Sequence, residues 1–299
     1  MGDHESTNPI ISIITPCLNR RQFIAEAVES VLRQDYPNVE HIIIDGGSTD
    51  GTLEILNHYP HLRVISEPDK NLYDAINKGI RLAKGEIIGH LNSDDLYADN
   101  IFGDMAHLFQ KHPETELVCG RACVFEDDPY GNRNVVAVHK EAEHMGISFK
   151  SVLLFAPIIN AKFFRRSVYE KAGLYNTFYS ITADKDFLLR LAIRGIKTSG
   201  FDKIVYYYRK HPGSLSIGSS TQNIFRRLKE DLLITEAYLR DYSSVGEMRY
   251  YCRRRHTLIS LRLFSLCIRQ RRYRELVSCA LRGLKYDGLW PVCLLRYIL

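Results

Sequence analysis

The chain has 299 residues, 45% of them hydrophobic and 25% charged, with a formal net charge of +5. That length can bury a large core, in one big domain or one domain with an appendage, and the composition excludes a disordered or fibrous chain. Its 7 cysteines are scattered without zinc-like pairs, which predicts reduced thiols in a cytoplasmic protein. Residues 1–9 are mostly polar, so no signal peptide is expected, and no apolar run approaches the roughly 20 residues of a membrane span.

Ile10-Ile11-Ser12-Ile13-Ile14 reads as a short β-branched strand with Thr15-Pro16-Cys17-Leu18-Asn19 as its exit loop. Phe23, Ala27, Val28, Val31 and Leu32 then mark one face of a helix. A second strand, His41-Ile42-Ile43-Ile44, ends at Asp45-Gly46-Gly47-Ser48-Thr49-Asp50-Gly51. A helix carrying Leu53, Ile55 and Leu56 stops near Tyr59-Pro60, with Asp50 favoured as its N-cap. Leu62-Arg63-Val64-Ile65 is the third strand, and residues 72–83 form a helix with Gly85 as a C-cap. The fourth strand, Ile87-Ile88-Gly89-His90-Leu91, runs straight into Asn92-Ser93-Asp94-Asp95. Alternating strands and helices with short connections predict an α/β fold: a single, mostly parallel central sheet flanked by helices.

Further along, a helix is expected over 101–111, a strand over 116–125 and a turn at 127–132 that opens a hairpin toward Val135-Val136-Ala137-Val138. Residues 158–164 read as another strand, 184–194 as a helix ended by Gly195, and 204–208 as a late strand. From Gln222 onward the pattern is helical, with loops near Ser243 and Gly288. Residues 126–150, with His139 and His144, have the look of a loop over an acceptor site.

Three strand ends supply polar side chains that can converge: Thr15 to Asn19, Asp45 to Asp50, and Asn92 to Asp95. Open sheets bind ligands at such edges, and gathered carboxylates suit a hard cation that handles phosphate. The bland alternative for the last cluster is a solvated loop with an Asp cap before Leu96-Tyr97-Ala98. The turn after the first strand is not glycine-rich, which argues against a dinucleotide site, and no Walker A loop is present.

Taken together, several pieces resemble an inverting family 2 glycosyltransferase of the GT-A fold, of the kind that builds bacterial polysaccharides. They are Ile14-Thr15-Pro16 with Asn19, residues 44–51, Glu67-Pro68-Asp69, residues 73–79, Gly85-Glu86-Ile87-Ile88, residues 91–95, Ala183-Asp184-Lys185-Asp186 and residues 208–216. The resemblance covers residues 10 to about 216. It implies a catalytic domain over 1–220, with a nucleotide-sugar half at about 10–98 and an acceptor half at about 99–220.

By this resemblance Thr15 and Pro16 lie against the nucleoside, with Asn19, Asn77 and Lys78 in the nucleotide site, and Asp45 contacts a uracil-type base. The common form has a second acid where Gly46 stands. Asn92-Ser93-Asp94 fills the Asp-x-Asp slot: Asp94 binds Mn²⁺ or Mg²⁺ bridging the diphosphate, while Asn92 and Ser93 face the nucleotide. His211 completes the metal or diphosphate site. Asp184 is the catalytic base, removing the acceptor proton as its hydroxyl attacks the anomeric carbon. Ala183 replaces a usual Glu. A helix terminus is expected to hold Asp184 ionised, and Asp186 to face elsewhere. Lys70 and Lys78 can add positive charge.

Residues 240–299 hold 13 Arg or Lys against 4 Asp or Glu. Arg253-Arg254-Arg255 and the cluster at 269–274 alternate with apolar residues from Leu258 to Ile268, and Trp290 and Tyr297 lie near the end. This extension, 221–299, reads as basic amphipathic helices, with residues 249–299 on an anionic membrane surface. The alternative is packing on the body or on a second subunit of a homo-oligomer. A nucleic-acid surface is not expected. The overall expectation is a metal-dependent transferase, moving sugar from a UDP-sugar to a saccharide or lipid-linked saccharide on the cytoplasmic face of the inner membrane. A nucleotidyltransferase and a catalytically impaired polysaccharide-assembly subunit are the alternatives.

Overall fold

The computed structural model describes residues 8–139, 146–155, 157–214, 220–242 and 246–293. They fall into two compact units, one within 1–148 and 157–211, the other within 149–156 and 212–299.

The first unit begins as the apolar pattern predicts. β1 (Ile11–Cys17) is buried at all 7 positions, as a strand covered on both faces must be. α1 (Ile24–Leu32), β2 (Val39–Asp45), α2 (Thr52–Leu56), β3 (Leu62–Ser66), α3 (Leu72–Leu82) and β4 (Ile87–His90) follow. β3, β2, β1 and β4 lie side by side, all parallel. Then come β5 (Leu96–Tyr97), α4 (Phe102–Lys111), β6 (Leu117–Asp127), β7 (Arg133–His139), β8 (Lys162–Arg165), α6 (Ser167–Ala172), α7 (Ala183–Ile193) and β9 (Thr198–Arg209).

The parallel character stops at β4. Beyond it the order is β8-β6-β9-β5, with β8 antiparallel to both β4 and β6, and β9 parallel to β6 but antiparallel to β5. The sheet is therefore mixed. Leu96-Tyr97 is a strand and not the start of a helix, because it pairs with Tyr206 and Tyr207 of β9. The hairpin expected after the turn at 127–132 is present as β6 and β7, and it takes up residues 126–139 of the stretch also read as a loop; His144 lies outside the described residues. Gly85 is not a cap either. α3 ends at Leu82 with Ala83 extended, and a Cβ on Gly85 would lie 2.5 Å from Ser12 Oγ. Its lack of a side chain lets the backbone pass against β1.

The second unit is helical. α5 (Phe149–Phe155), unforeseen from sequence, sits with α8 (Thr221–Asp241), α9 (Gly246–Arg269) and α10 (Tyr273–Tyr286). Phe225, Leu228, Leu232, Ile259, Leu263, Cys267 and Cys279 make its core. The apolar side chains of α9 thus largely face inward. Trp290 is also inside, 3% exposed, donating Nε1–H to Ser260 Oγ at 2.8 Å and packing edge-on to Phe264. The arginine cluster at 253–255 is partly structural: Arg255 pairs with buried Asp231, and Arg253 donates to the Tyr286 carbonyl. Within 249–299, Trp290 and much of the apolar side of α9 are thus taken up by packing inside the unit. Among the described residues, no helix is long and apolar enough to cross a membrane. The expected loop at Ser243 lies outside the described residues.

Candidate active site

β1 and β2 end side by side, Cys17 opposite Asp45, and their exit loops are stapled together. Asn19, at φ 52° in the left-handed region, takes a hydrogen bond from Thr49 N through Oδ1, while its own N–H donates to Ser48 Oγ at 2.8 Å. Asp50 Oδ2 accepts from Arg21 N at 3.0 Å and Oδ1 from Thr52 N at 3.1 Å. Asp50 thus serves the start of α2 from one residue before the cap position, which Gly51 occupies at φ 94°. These bonds preorganise the edge without any ligand.

They also use up several side chains expected to bind nucleotide. Asp45 is fully buried and accepts from Gly47 N, Ser48 N, Ser66 Oγ and Ser48 Oγ. Those four donors match the roughly four acceptor sites of a carboxylate. Thr15 and Pro16 are buried in β1, and Thr15 Oγ1 lies 2.9 Å from Nε2 of buried His41; burial lowers that imidazole to about 3, so it is neutral. Asn77 uses both amide atoms on the Tyr175 backbone, at 2.8 and 2.9 Å. Each of the four is buried in, or hydrogen-bonded to, the protein itself. Lys78 remains at the edge, 2.7 Å from Asp69 Oδ1 and 2.8 Å from Glu67 Oε1. Asp69 carries no expected role of its own, yet a Cβ on Gly46 would come within 3.3 Å of its Oδ2. Asp69 therefore borders the space left by the missing second acid. Lys70 is exposed, and its N–H holds Asp74.

The acidic cluster after β4 divides its labour. Asp95, 1% exposed, accepts from Tyr206 Oη at 2.7 Å, Arg209 N at 2.7 Å and Asn92 Nδ2 at 2.9 Å. Burial and neighbouring Asp94 push its carboxyl up against these donors. Asp95 is neither cap nor ligand but the clamp that fixes β9 to the cluster. Asn92 reaches it with its amide nitrogen, and Ser93 is buried beside Cys17. Asp94 is the acid that faces outward: Oδ2 lies 2.9 Å from His211 Nε2 and 3.7 Å from Arg20 Nε.

His211 owes its place to Arg209, another residue with no role assigned from sequence. The buried Arg209 donates Nε–H to the Asp94 carbonyl at 3.0 Å, pairs with Asp127 and Glu26, and lies over the Phe23 and Phe125 rings. The only hint in sequence was an arginine ending an aromatic strand two residues before the histidine. Among the described residues no group of three or more His, Cys, Asp or Glu forms a ready-made metal cage. Asp94 and His211 nonetheless offer one oxygen and one nitrogen to the same point. That pair fits a divalent cation whose other ligands are diphosphate oxygens and water.

Asp184 is the second residue of α7 and is positioned by α3. Asn71 Nδ2 donates to the Thr177 carbonyl at 2.8 Å, and the Tyr73 hydroxyl to that of Ile181 at 2.9 Å. Tyr73 also stacks on Tyr175, and its one hydroxyl proton is shared between the Ile181 carbonyl and the Asp184 carboxyl. Asp184 Oδ1 accepts from Lys185 N at 2.8 Å; Thr182 holds the cap position, so Asp184 is not the N-cap. Burial raises its pKa against the Lys185 N–H, the Lys185 charge and the Tyr73 hydroxyl. The helix terminus was expected to dominate; desolvation outweighs it. Asp186 turns to Arg190 at 2.9 Å, and Ala183 is wholly buried.

Comparison with known proteins gives this edge a context. The description "Glycosyl transferase family 2" matches residues 12–173. A PGL/p-HBAD biosynthesis glycosyltransferase of Mycobacterium tuberculosis is 33% identical over 190 residues, covering 61% of this chain and 69% of that one. The uncharacterized glycosyltransferase EpsJ of Bacillus subtilis is 25% identical over 263 residues, 82% of this chain and 75% of its own. In three dimensions, S. aureus TarS 1-349 in complex with UDP-GlcNAc superposes with TM-score 0.59 at 15% identity, over 93% of this chain and 89% of that chain. The chain spans 43% of the longer TarS structure. Mannosyltransferase PcManGT from Pyrobaculum calidifontis, in complex with GDP-Man and Mn²⁺, gives 0.58 at 16% identity, over 97% and 84%. The fold is thus GT-A-like. With a family match over more than half its length, the chain belongs to glycosyl transferase family 2 and is a glycosyltransferase that moves sugar from a nucleotide sugar to an acceptor.

Proposed function

We propose that the enzyme transfers a sugar from a UDP-sugar to a saccharide or lipid-linked saccharide in one inverting displacement, with Asp184 as general base. The observation that carries this reading is Asp184 itself, a carboxyl made more basic by burial and held by α3. In the step, the acceptor hydroxyl oxygen bonds to the anomeric carbon and its proton passes to Asp184. The bond from that carbon to the diphosphate oxygen breaks, and the nucleoside diphosphate leaves with the electron pair. Asp94 and His211 would hold Mn²⁺ or Mg²⁺, which when bound supplies positive charge to the leaving diphosphate. Arg20 adds a fixed cation beside Asp94.

The complexes of TarS with UDP-GlcNAc and of PcManGT with GDP-Man and Mn²⁺ support a nucleotide-sugar donor and a metal. With Asp45 occupied internally, base recognition passes to Asp69 and Lys78 beside Gly46. The catalytic part spans 1–220, and the basic extension 221–299 attaches it to an anionic membrane on the cytoplasmic face, where a lipid-linked acceptor would be presented. Incubation with UDP- and GDP-sugars and either metal, with released nucleotide measured, tests the reading. Asp184→Asn is expected to keep UDP binding and lose turnover; full transfer by that variant would overturn it.

A further inference from the structure

α10 carries a second apolar face that is left exposed among the described residues. Tyr273, Val277, Leu281 and Leu284 succeed one another at helical spacing, so they share one side of the helix. They are exposed by 69%, 56%, 63% and 46%. Ile268, near the end of α9, is 52% exposed as well. A different side anchors α10: Cys279 sits in the helical core, and Gly283 lies so close to Trp290 that a Cβ would be 2.3 Å from Nε1. Scattered exposed leucines are ordinary, but a continuous stripe rimmed by charge marks a contact surface. Here the charge is Arg269, Arg271, Arg274 and Lys285, all exposed, while Arg272 lies over Phe225 and Arg282 pairs with Glu236; Glu275 is the single acid from 269 to 285.

We propose that this stripe of α10 is the membrane-contacting surface, lying in the headgroup layer of an anionic bilayer with its apolar side chains inserted. This deepens the membrane reading above and rests on it, while moving the contact from α9 and Trp290 to one helix. The charge selects the occupant. A second copy docked on the stripe by two-fold symmetry would bring two strongly positive rims together. Anionic lipid neutralises that rim, and each Lys or Arg near the surface adds attraction.

The full-length protein is floated with phosphatidylcholine vesicles, with and without phosphatidylglycerol. Wild type is expected to float with the anionic vesicles. Val277→Glu/Leu281→Glu, at exposed positions, should keep its far-ultraviolet dichroism and thermal transition while partitioning at least about tenfold less. Arg274→Glu/Lys285→Glu should lose the preference for phosphatidylglycerol. Equal flotation of the Val277/Leu281 variant, or no flotation of wild type, overturns the proposal. So does a concentration-dependent dimer in solution that Val277→Glu/Leu281→Glu dissolves. Nucleotide release from a soluble donor, measured on the same preparations, reports the transferase reading separately: lost flotation with release intact concerns the surface alone.

Discussion

His211 Nε2 and Asp94 Oδ2 stand 2.9 Å apart across 117 residues of sequence. The pair joins the carboxyl end of β4 to the carboxyl end of β9, and Arg209 and Asp95 hold the two ends together. Replacing Asp94 with Ala is expected to abolish Mn²⁺-supported UDP binding in titration calorimetry and to lower turnover by about 100-fold or more. His211→Ala should weaken the same binding by a smaller factor, about 10- to 100-fold. Unchanged metal-dependent binding in both would remove the cation from this corner.

The acid limb of activity should report Asp184. A general base works when deprotonated, so turnover rises with pH through its pKa, which burial sets above the usual carboxylate range. Tyr73→Phe deletes a donor that favours the ionised form, so the limb should move to still higher pH, with kcat affected more than KM. A limb that stays in place, with folding intact, would make Tyr73 a packing residue only.

Asp95→Ala should destabilise the fold as well as the site. It strands the Tyr206 hydroxyl, the Arg209 N–H and the Asn92 amide in a dry interior, a loss of about 2–4 kcal/mol in chemical denaturation. Asp95→Asn, which keeps acceptor capacity, should recover part of it.

In the helical unit, Gly283→Val should be as damaging as Trp290→Ala. The first leaves no room for the indole and the second leaves a cavity around Phe264 and Ser260. Both are expected to lower stability by about 3 kcal/mol in thermal unfolding, without touching catalysis at saturating soluble substrates.

The parallel half of the sheet was legible because buried β-branched runs such as Ile42-Ile43-Ile44 announce themselves locally. The mixed half was not, since β8 and β5 are short and take their direction from distant partners, β8 from β4 and β6, and β5 from β9 more than a hundred residues away. At the site, Asp94, His211 and Asp184 stood out by motif. What sequence could not reveal was which polar residues already have internal partners: Asp45, Asn77 and Thr15 meet Ser66, Tyr175 and His41. The tail was only partly legible for a similar reason. Periodicity located apolar faces but not which of them another helix covers. Membership of the family also sets aside the nucleotidyltransferase alternative.

Gly79 lets α3 lie directly on β1, since a Cβ there would be 2.4 Å from Ile14 Cγ2. At its other end the same helix, through Asn71 and Tyr73, grips the segment leading to Asp184. A helix of 11 residues is a rigid spacer about 16 Å long. The interval between the donor edge and the proton acceptor is thus gauged by one straight element. Loops around it can change in length or composition to suit other sugars and acceptors while that interval stays the same.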